Sequence, residues 1–330
     1  MARFGAGMGG RANLWLRRFA GLSKRSRRQG QGIEGVQGMK TIGFIGTGGM
    51  GSGMGANLIK AGYRLVVTDL RREQAKGLEA LGAQFVDSPK AVAESCELVL
   101  SMLPHNEAVR AVGLGAGGLA EATSGAKVWI DFSSIDKETI VEVNDALVTK
   151  GWTIVDASAG GVEEVAAAGH LALWLSGDKA LFDAFQPVLK PMAKSILHVG
   201  ELGNAKLVKN AMAMLAAVQH MSIVEVCWLL KKGGLNEATF QNILQNSQQD
   251  SEAVRRIMDV VVSRKYKPRK SWMPKDVGFG LDMAREMEAP MPFVGLAQQM
   301  FAIAQATGHD GYEATGIACN VYDVIHGIKK

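Results

Sequence analysis

Cysteine is scarce: the 330 residues hold three, Cys96, Cys227 and Cys319, scattered and odd in number. That spacing excludes a disulfide framework and a thiolate metal site, and it suits a reducing compartment. The six histidines form no HxxxH or HExxH pair, so no metal is expected. No apolar run approaches the roughly 20 residues that span a bilayer, so no membrane partner is expected. Acid is nearly missing from residues 1–38. Glu34 stands alone there against Arg3, Arg11, Arg17, Arg18, Lys24, Arg25, Arg27 and Arg28, a net of +7. Taking +7 from the whole-chain +5 leaves −2 for the rest. Charge therefore gives no support to nucleic-acid binding by the folded body.

What remains is an ordinary globular composition, 47% apolar and 21% charged, long enough for two domains. Residues 1–38, rich in Gly and Arg and without a sustained apolar period, predict a disordered extension with a short helix around Leu14 to Leu22. Three readings of it stay open: a mitochondrial transit peptide, a basic arm for nucleic acid, or translated upstream sequence with Met39 as the start. The last is favoured, because Met39-Lys40 abuts the first strand.

The chain is organised around Thr41-Ile42-Gly43-Phe44-Ile45-Gly46-Thr47-Gly48-Gly49-Met50-Gly51. An apolar strand runs into Gly46-x-Gly48-x-x-Gly51, a helix-like stretch follows to Ala61-Gly62, and a second strand ends at Asp69. Gly46 permits a tight turn, Gly48 lets backbone approach a pyrophosphate, and Gly51 lets the helix pack on the strand. The helix N-terminus offers free N–H groups and a positive dipole end to phosphates. Asp69 sits where a carboxylate accepts hydrogen bonds from a ribose diol, which favours NAD and repels the 2′-phosphate of NADP. Arg71 and Arg72 nearby keep NADP possible.

Strands are predicted at 40–45, 64–69, 97–101, 127–131 and 152–156, alternating with helices near 50–61, 72–81, 89–94, 105–112 and 136–150. Alternation of this kind implies α/β architecture, a doubly wound parallel sheet with its ligand crevice at the carboxyl ends of the strands. Shorter strands are expected at 171–176 and 195–199, with a helix at 179–189. Beyond Gly203 the pattern is purely helical: one long helix over 204–232, then others near 236–246, 251–263, 275–288, 292–307 and 311–327. The expected organisation is an extension over 1–38, a nucleotide-binding domain over 39–200 and an all-α domain over 201–330.

Lys206 and Asn210 lie four apart on one face of the long helix, with Lys209 close by. An ammonium beside a carboxamide can hold a substrate hydroxyl, and desolvation suits a lysine to general acid/base work near neutral pH. Gly160-Gly161, after a strand end and before a helix start, can offer successive N–H groups to a carboxylate. Asp276, at a helix start, is placed to cap it while Lys275 reaches outward.

Together these segments resemble the β-hydroxyacid dehydrogenase family, which includes 3-hydroxyisobutyrate dehydrogenases and the tartronate and glyoxylate/succinic semialdehyde reductases. The resemblance runs from Met39 almost to the C-terminus. Residues 43–51 are similar to its GFIGLGxMG, and Leu103-Pro104 and Asp131-Phe132-Ser133-Ser134 to its cofactor turns. Asp156 to Gly161 resembles DAPVSGG, Lys206 and Asn210 its lysine and following asparagine, and Lys275-Asp276 its late KD motif. The resemblance implies a Rossmann-type domain followed by an all-α C-terminal domain, a homodimer or homotetramer, and hydride transfer between NAD(P) and a small 3-hydroxy acid or its semialdehyde. It implies Lys206 as general acid/base and Asn210 as orienting residue. Ser158, Gly160 and Gly161 would hold the substrate carboxylate. Gly46, Gly48, Gly49, Met50, Gly51, Asp69, Leu103, Pro104, Ser133 and Lys275 would line the cofactor, with no metal. A cytoplasmic setting is expected, or the mitochondrial matrix if residues 1–38 are a transit peptide. Three departures stand out: a substrate motif one residue short, a loop before Lys206 about three residues shorter than GxxGxGxxxK, and Lys209 in place of an asparagine. The alternatives are an imine reductase-like enzyme, a non-catalytic NAD(P)-binding module and a chromatin-linked relative using the basic arm.

Overall fold

The computed structural model describes residues 39–269 and 271–328. The expectations for residues 1–38 fall outside that range.

In chain order the first elements are β1 (Thr41–Ile45), α1 (Gly49–Lys60), β2 (Arg64–Thr68), α2 (Lys76–Glu79) and β3 (Gln84–Phe85). Then come α3 (Pro89–Glu94), β4 (Leu98–Ser101), α4 (Asn106–Leu114), β5 (Val128–Asp131), α5 (Lys137–Val148) and β6 (Thr153–Gly160). The sheet is completed by α6 (Glu163–Ala167), β7 (Leu171–Ser176), α7 (Lys179–Leu189) and β8 (Ala193–His198). Eight strands form one sheet in the order β3-β2-β1-β4-β5-β6-β7-β8. The order reverses beside β1, where β2 lies on one side and β4 on the other. That switch point opens a crevice at the strands' carboxyl ends.

Alternation along each strand divides the apolar side chains between two cores. Phe44, Leu58, Val67, Leu100, Phe132 and Phe185 pack on one face. Val66, Val99, Val109, Trp129, Ile140 and Trp152 pack on the other. Full burial of such side chains stabilises by about 2–3 kcal/mol each.

Four features depart from the expectation. The pair β6–β7 is antiparallel within an otherwise parallel sheet. In addition, β6 does not stop at Asp156 but runs on to Gly160, because β7 pairs with it continuously from Asp156↔Ser176 to Gly160↔Ala172. The segment expected as a strand-end loop is therefore strand. The two-residue β3 escaped the pattern, and the helix expected over 72–81 is a 3₁₀ turn over Arg72–Ala75 followed by α2.

From Asn204 on, the described residues form only helices: α8 (Asn204–Lys232), α9 (Glu237–Gln245), α10 (Glu252–Ser263), α11 (Met273–Glu286), α12 (Pro292–Ala306) and α13 (Ala314–Ile325). Gly203, left-handed at φ 89°, is the N-cap of α8. By length and composition α8 could cross a membrane. Its inner face, with Met214, Ala217, Met221, Val224 and Trp228, instead forms the centre of the helical core.

Candidate active site

The glycine loop is shaped for a dinucleotide. Gly46 adopts φ +88°, donates its N–H to Thr68 O at 3.0 Å, and has no room for a side chain: a Cβ would stand 2.4 Å from Met102 O. A Cβ on Gly51 would stand 2.0 Å from Gly46 O. At Gly48 the opposite holds, since a Cβ would meet nothing within 4 Å. That open ground lies before the N-terminus of α1, which has no acidic residue in its first turn and no side-chain cap. Free N–H groups facing an open cradle fit a pyrophosphate. Gly49 and Met50 begin the helix there.

Asp69 is half-buried. Its Oδ2 accepts from Thr47 N at 2.8 Å and its Oδ1 from Arg71 N at 2.9 Å, so the carboxylate ties the glycine loop to the end of β2. Arg72 turns away to Glu79 at 2.9 Å and lies 4.0 Å over the Phe85 ring, whereas Arg71 is exposed.

On the opposite wall Leu103 is buried, Pro104 is exposed, and Leu103 N donates to Ser133 Oγ at 2.9 Å. Ser133 in turn donates to Asp131 Oδ1 at 2.6 Å and is fully buried, so it supports the turn from behind. Lys275 reaches across from α11 and donates to Pro104 O and Ser134 O, both at 2.8 Å, with the Trp272 and Phe279 rings each 5.4 Å away. Burial pushes the Lys275 ammonium down from its ordinary pKa, against the pull of Asp276. Asp276 does not cap α11. The helix starts at Met273, and Asp276 is buried with Oδ1 lacking a hydrogen-bond partner. Burial pushes its carboxyl up, opposed by Lys209 and Lys275.

Lys206 lies in a buried cluster of charge. Parallel pairing of β5 and β6 sets Asp131 directly beside Asp156, two buried carboxylates in register. Lys206 enters between them from the first turn of α8. Its Nζ donates to Asp131 Oδ2 at 2.9 Å, Asp131 O at 3.0 Å and Ala157 O at 2.7 Å, and stands 3.2 Å from Asp156 Oδ1. Asp156 Oδ2 also accepts from Gly203 N and Ala205 N, at 2.9 and 3.2 Å, at the positive end of the α8 dipole. Lys206 has 0% exposure, and its three ammonium protons are all engaged by these groups. Asn210 is buried beside it. Its Nδ2 lies 3.4 Å from Ile135 O and 3.5 Å from the Met283 sulfur, and its Oδ1 has no partner.

Lys209, one turn on, is half-buried and close enough to Lys275 and Asp276 to act on the charge of both. Counted from Gly200, the spacing GxxGxGxxxK can also be laid on Gly200, Gly203, Ala205 and Lys209, which moves the lysine away from the asparagine four residues on. The strand segment can also be aligned without a gap. Asp156 to Val162 is then a full seven-residue DAPVSGG segment, with Gly160 in the serine's place, Gly161 as its first glycine and Val162 as its second. The room a side chain would take at Gly160 is filled by Trp174, whose Cη2 would stand 2.5 Å from an added Cβ. Ser158 is fully buried with an unpartnered Oγ. Gly160 is a paired strand residue and not part of a loop nest. Trp174 carried no sequence signal beyond its place on a strand.

Residues 41–200 match the family described as the NAD binding domain of 6-phosphogluconate dehydrogenase. Residues 203–319 match the family described as NAD-binding of NADP-dependent 3-hydroxyisobutyrate dehydrogenase. The chain is 33% identical over 299 residues to a 3-hydroxyisobutyrate dehydrogenase of Pseudomonas aeruginosa, covering 84% of this chain and 97% of that protein. It is 30% identical to the 2-(hydroxymethyl)glutarate dehydrogenase of Eubacterium barkeri, covering 87% and 96%. Among solved structures, the 3-hydroxyisobutyrate dehydrogenase of Mycobacterium tuberculosis with L-serine superposes with a TM-score of 0.78 at 29% identity, covering 86% of this chain and 99% of that one.

Proposed function

Since this chain belongs to the β-hydroxyacid dehydrogenase family and is an NAD(P)-dependent hydroxyacid dehydrogenase, we propose that Lys209, rather than Lys206, exchanges the hydroxyl proton of its substrate. The observation that carries this reading is the saturation of Lys206 by Asp131, Asp156 and Ala157 O, beside a Lys209 that none of these groups engages. The substrate is a small 3-hydroxy acid or the matching semialdehyde. A nicotinamide held at the glycine loop would supply hydride transfer at the hydroxyl-bearing carbon. As the neutral amine, Lys209 Nζ takes the hydroxyl proton during oxidation and becomes the ammonium, which returns the proton during reduction. Asp276 and Lys275 flank that ammonium from α11, and the cations Lys209 and Lys275 suit a carboxylate-bearing substrate. Gly160 supplies no hydroxyl, so Trp174 forms that wall of the pocket.

NAD is favoured over NADP, because Asp69 is held at the end of β2 and Arg72 is committed to Glu79 and Phe85. Comparing NADH with NADPH affinity tests this; preference for NADPH would refute it. The cofactor domain extends to about residue 200, and the helical region carries the oligomer interface. That region exposes Leu215 (54%), Leu229 (70%), Phe293 (74%) and Leu296 (64%), a surface suited to a homodimer or homotetramer, which light scattering after size exclusion measures. The three cysteines are free and buried, in keeping with a cytoplasmic setting.

The proton-transfer assignment is tested by turnover with a panel of 3-hydroxy acids and semialdehydes. Lys209→Ala is expected to lose about 100-fold or more in kcat while binding NADH normally. Near wild-type turnover in that variant would return the role to another group.

A further inference from the structure

The glycine loop has a neighbour that no motif predicts. The Glu163 carboxyl group, at the start of α6, lies against Gly49: a Cβ there would stand 2.2 Å from Glu163 Cδ and Oε1. The first turn of α1 has no acid of its own, so Glu163 brings a negative charge from another element to the edge of the phosphate cradle. Facing it from the helical region is the segment before α11. Lys267 anchors that segment, donating to Glu164 Oε1 at 2.7 Å while its carbonyl accepts from Glu313 N at 3.3 Å. Arg269 is held loosely. Its Nη1 stands 3.9 Å from both Glu163 Oε2 and Glu164 Oε2, within ion-pair reach but beyond a hydrogen bond. Its side chain is 35% exposed.

We propose that Glu163 and Arg269 form a charge latch operated by the cofactor. A dianionic pyrophosphate at the N-terminus of α1 repels Glu163 and draws Arg269 away from the glutamates onto itself. Lys267 and Glu164 meanwhile keep the segment in place. Arg269 is thus a cofactor-binding residue supplied by the helical region, and Glu163 restrains binding until Arg269 moves. This rests on the pyrophosphate lying at the glycine loop.

The test is the dissociation constant of NADH by fluorescence titration, at low and at high salt. Glu163→Gln is expected to tighten binding about three- to tenfold and Arg269→Ala to weaken it by a similar factor. Both effects should shrink at high salt, as the Debye length falls toward about 3 Å at 1 M. Arg269→Lys should recover part of the lost affinity. A thermal melt checks folding, and Arg269→Gln, which keeps most of the stem, repeats the test if the alanine variant fails to fold. If the pair merely clamps the two regions together, both substitutions shift affinity in the same direction. That result, or unchanged affinity in either variant, overturns the latch. Gly48→Asp separates the two layers of inference. Normal NADH binding in that variant refutes the loop placement and the latch with it. Loss of binding there, alongside a failed sign test, refutes the latch alone.

Discussion

Lys206 and Lys209 show how three positions along a helix separate a fully buried lysine from a half-buried one. Both are lysines near the start of α8, three apart, and nothing in their local sequence ranks them. Burial ranks them, and it depends on Asp131 and Asp156 meeting through sheet register. Lys206→Met keeps much of the side-chain volume but leaves two buried carboxylates without a counter-charge. Removing one partner of a buried ion pair costs about 3–5 kcal/mol. Urea unfolding of Lys206→Met should show a loss of that size, and unaltered stability would remove Lys206 from the framework.

Elements were legible where periodicity is strong. The apolar runs of β1, β2, β4 and β5 bracketed by turns, and the long apolar stretch of α8 stopped by Gly233, left little ambiguity. β3 was illegible because two residues, Gln84 and Phe85, carry no period. The direction of β7 was illegible because pairing direction belongs to topology and not to composition. The site was legible in its cofactor half, where glycine spacing is itself the mechanism. Its substrate half was less legible, because the burial of Lys206 and the pairing of Gly160 depend on the register of β6 and the packing of α8. The contact between α8 and α13 yields a pH prediction. His220 and Thr315 are joined there by a 2.9 Å hydrogen bond between Nδ1 and Oγ1. Burial, aided by Arg256, pushes His220 down from its ordinary 6.5 to about 4. Between those values the unfolded chain takes up a proton that the folded chain refuses. The stabilisation is therefore full above about pH 6.5 and is lost as pH falls toward about 4, a change of about 2–3 kcal/mol. Urea unfolding at pH 7.5 and 4.5 should show a smaller pH-dependent loss in His220→Gln than in wild type; equal losses would exclude His220 as the source.

For the whole molecule, the fold joins its two regions at the cofactor's doorstep. Lys275 staples α11 to the turns after β4 and β5. If cofactor and substrate both bind beneath that staple, Lys275→Ala should raise KM for the two together, whereas a change confined to one would assign it to that ligand.

The Asp131–Lys206–Asp156 cluster also sets a schedule for synthesis. The chain is made from its N-terminus, and Lys206 follows Asp131 by 75 residues. Asp156 precedes Lys206 by 50 residues, so at roughly 5–20 residues per second the ribosome leaves the pair of carboxylates without its cation for about 2.5–10 s. During that interval β5 and β6 can align only by holding two like charges together. Completion of this side of the sheet therefore waits for the first turn of α8 to emerge.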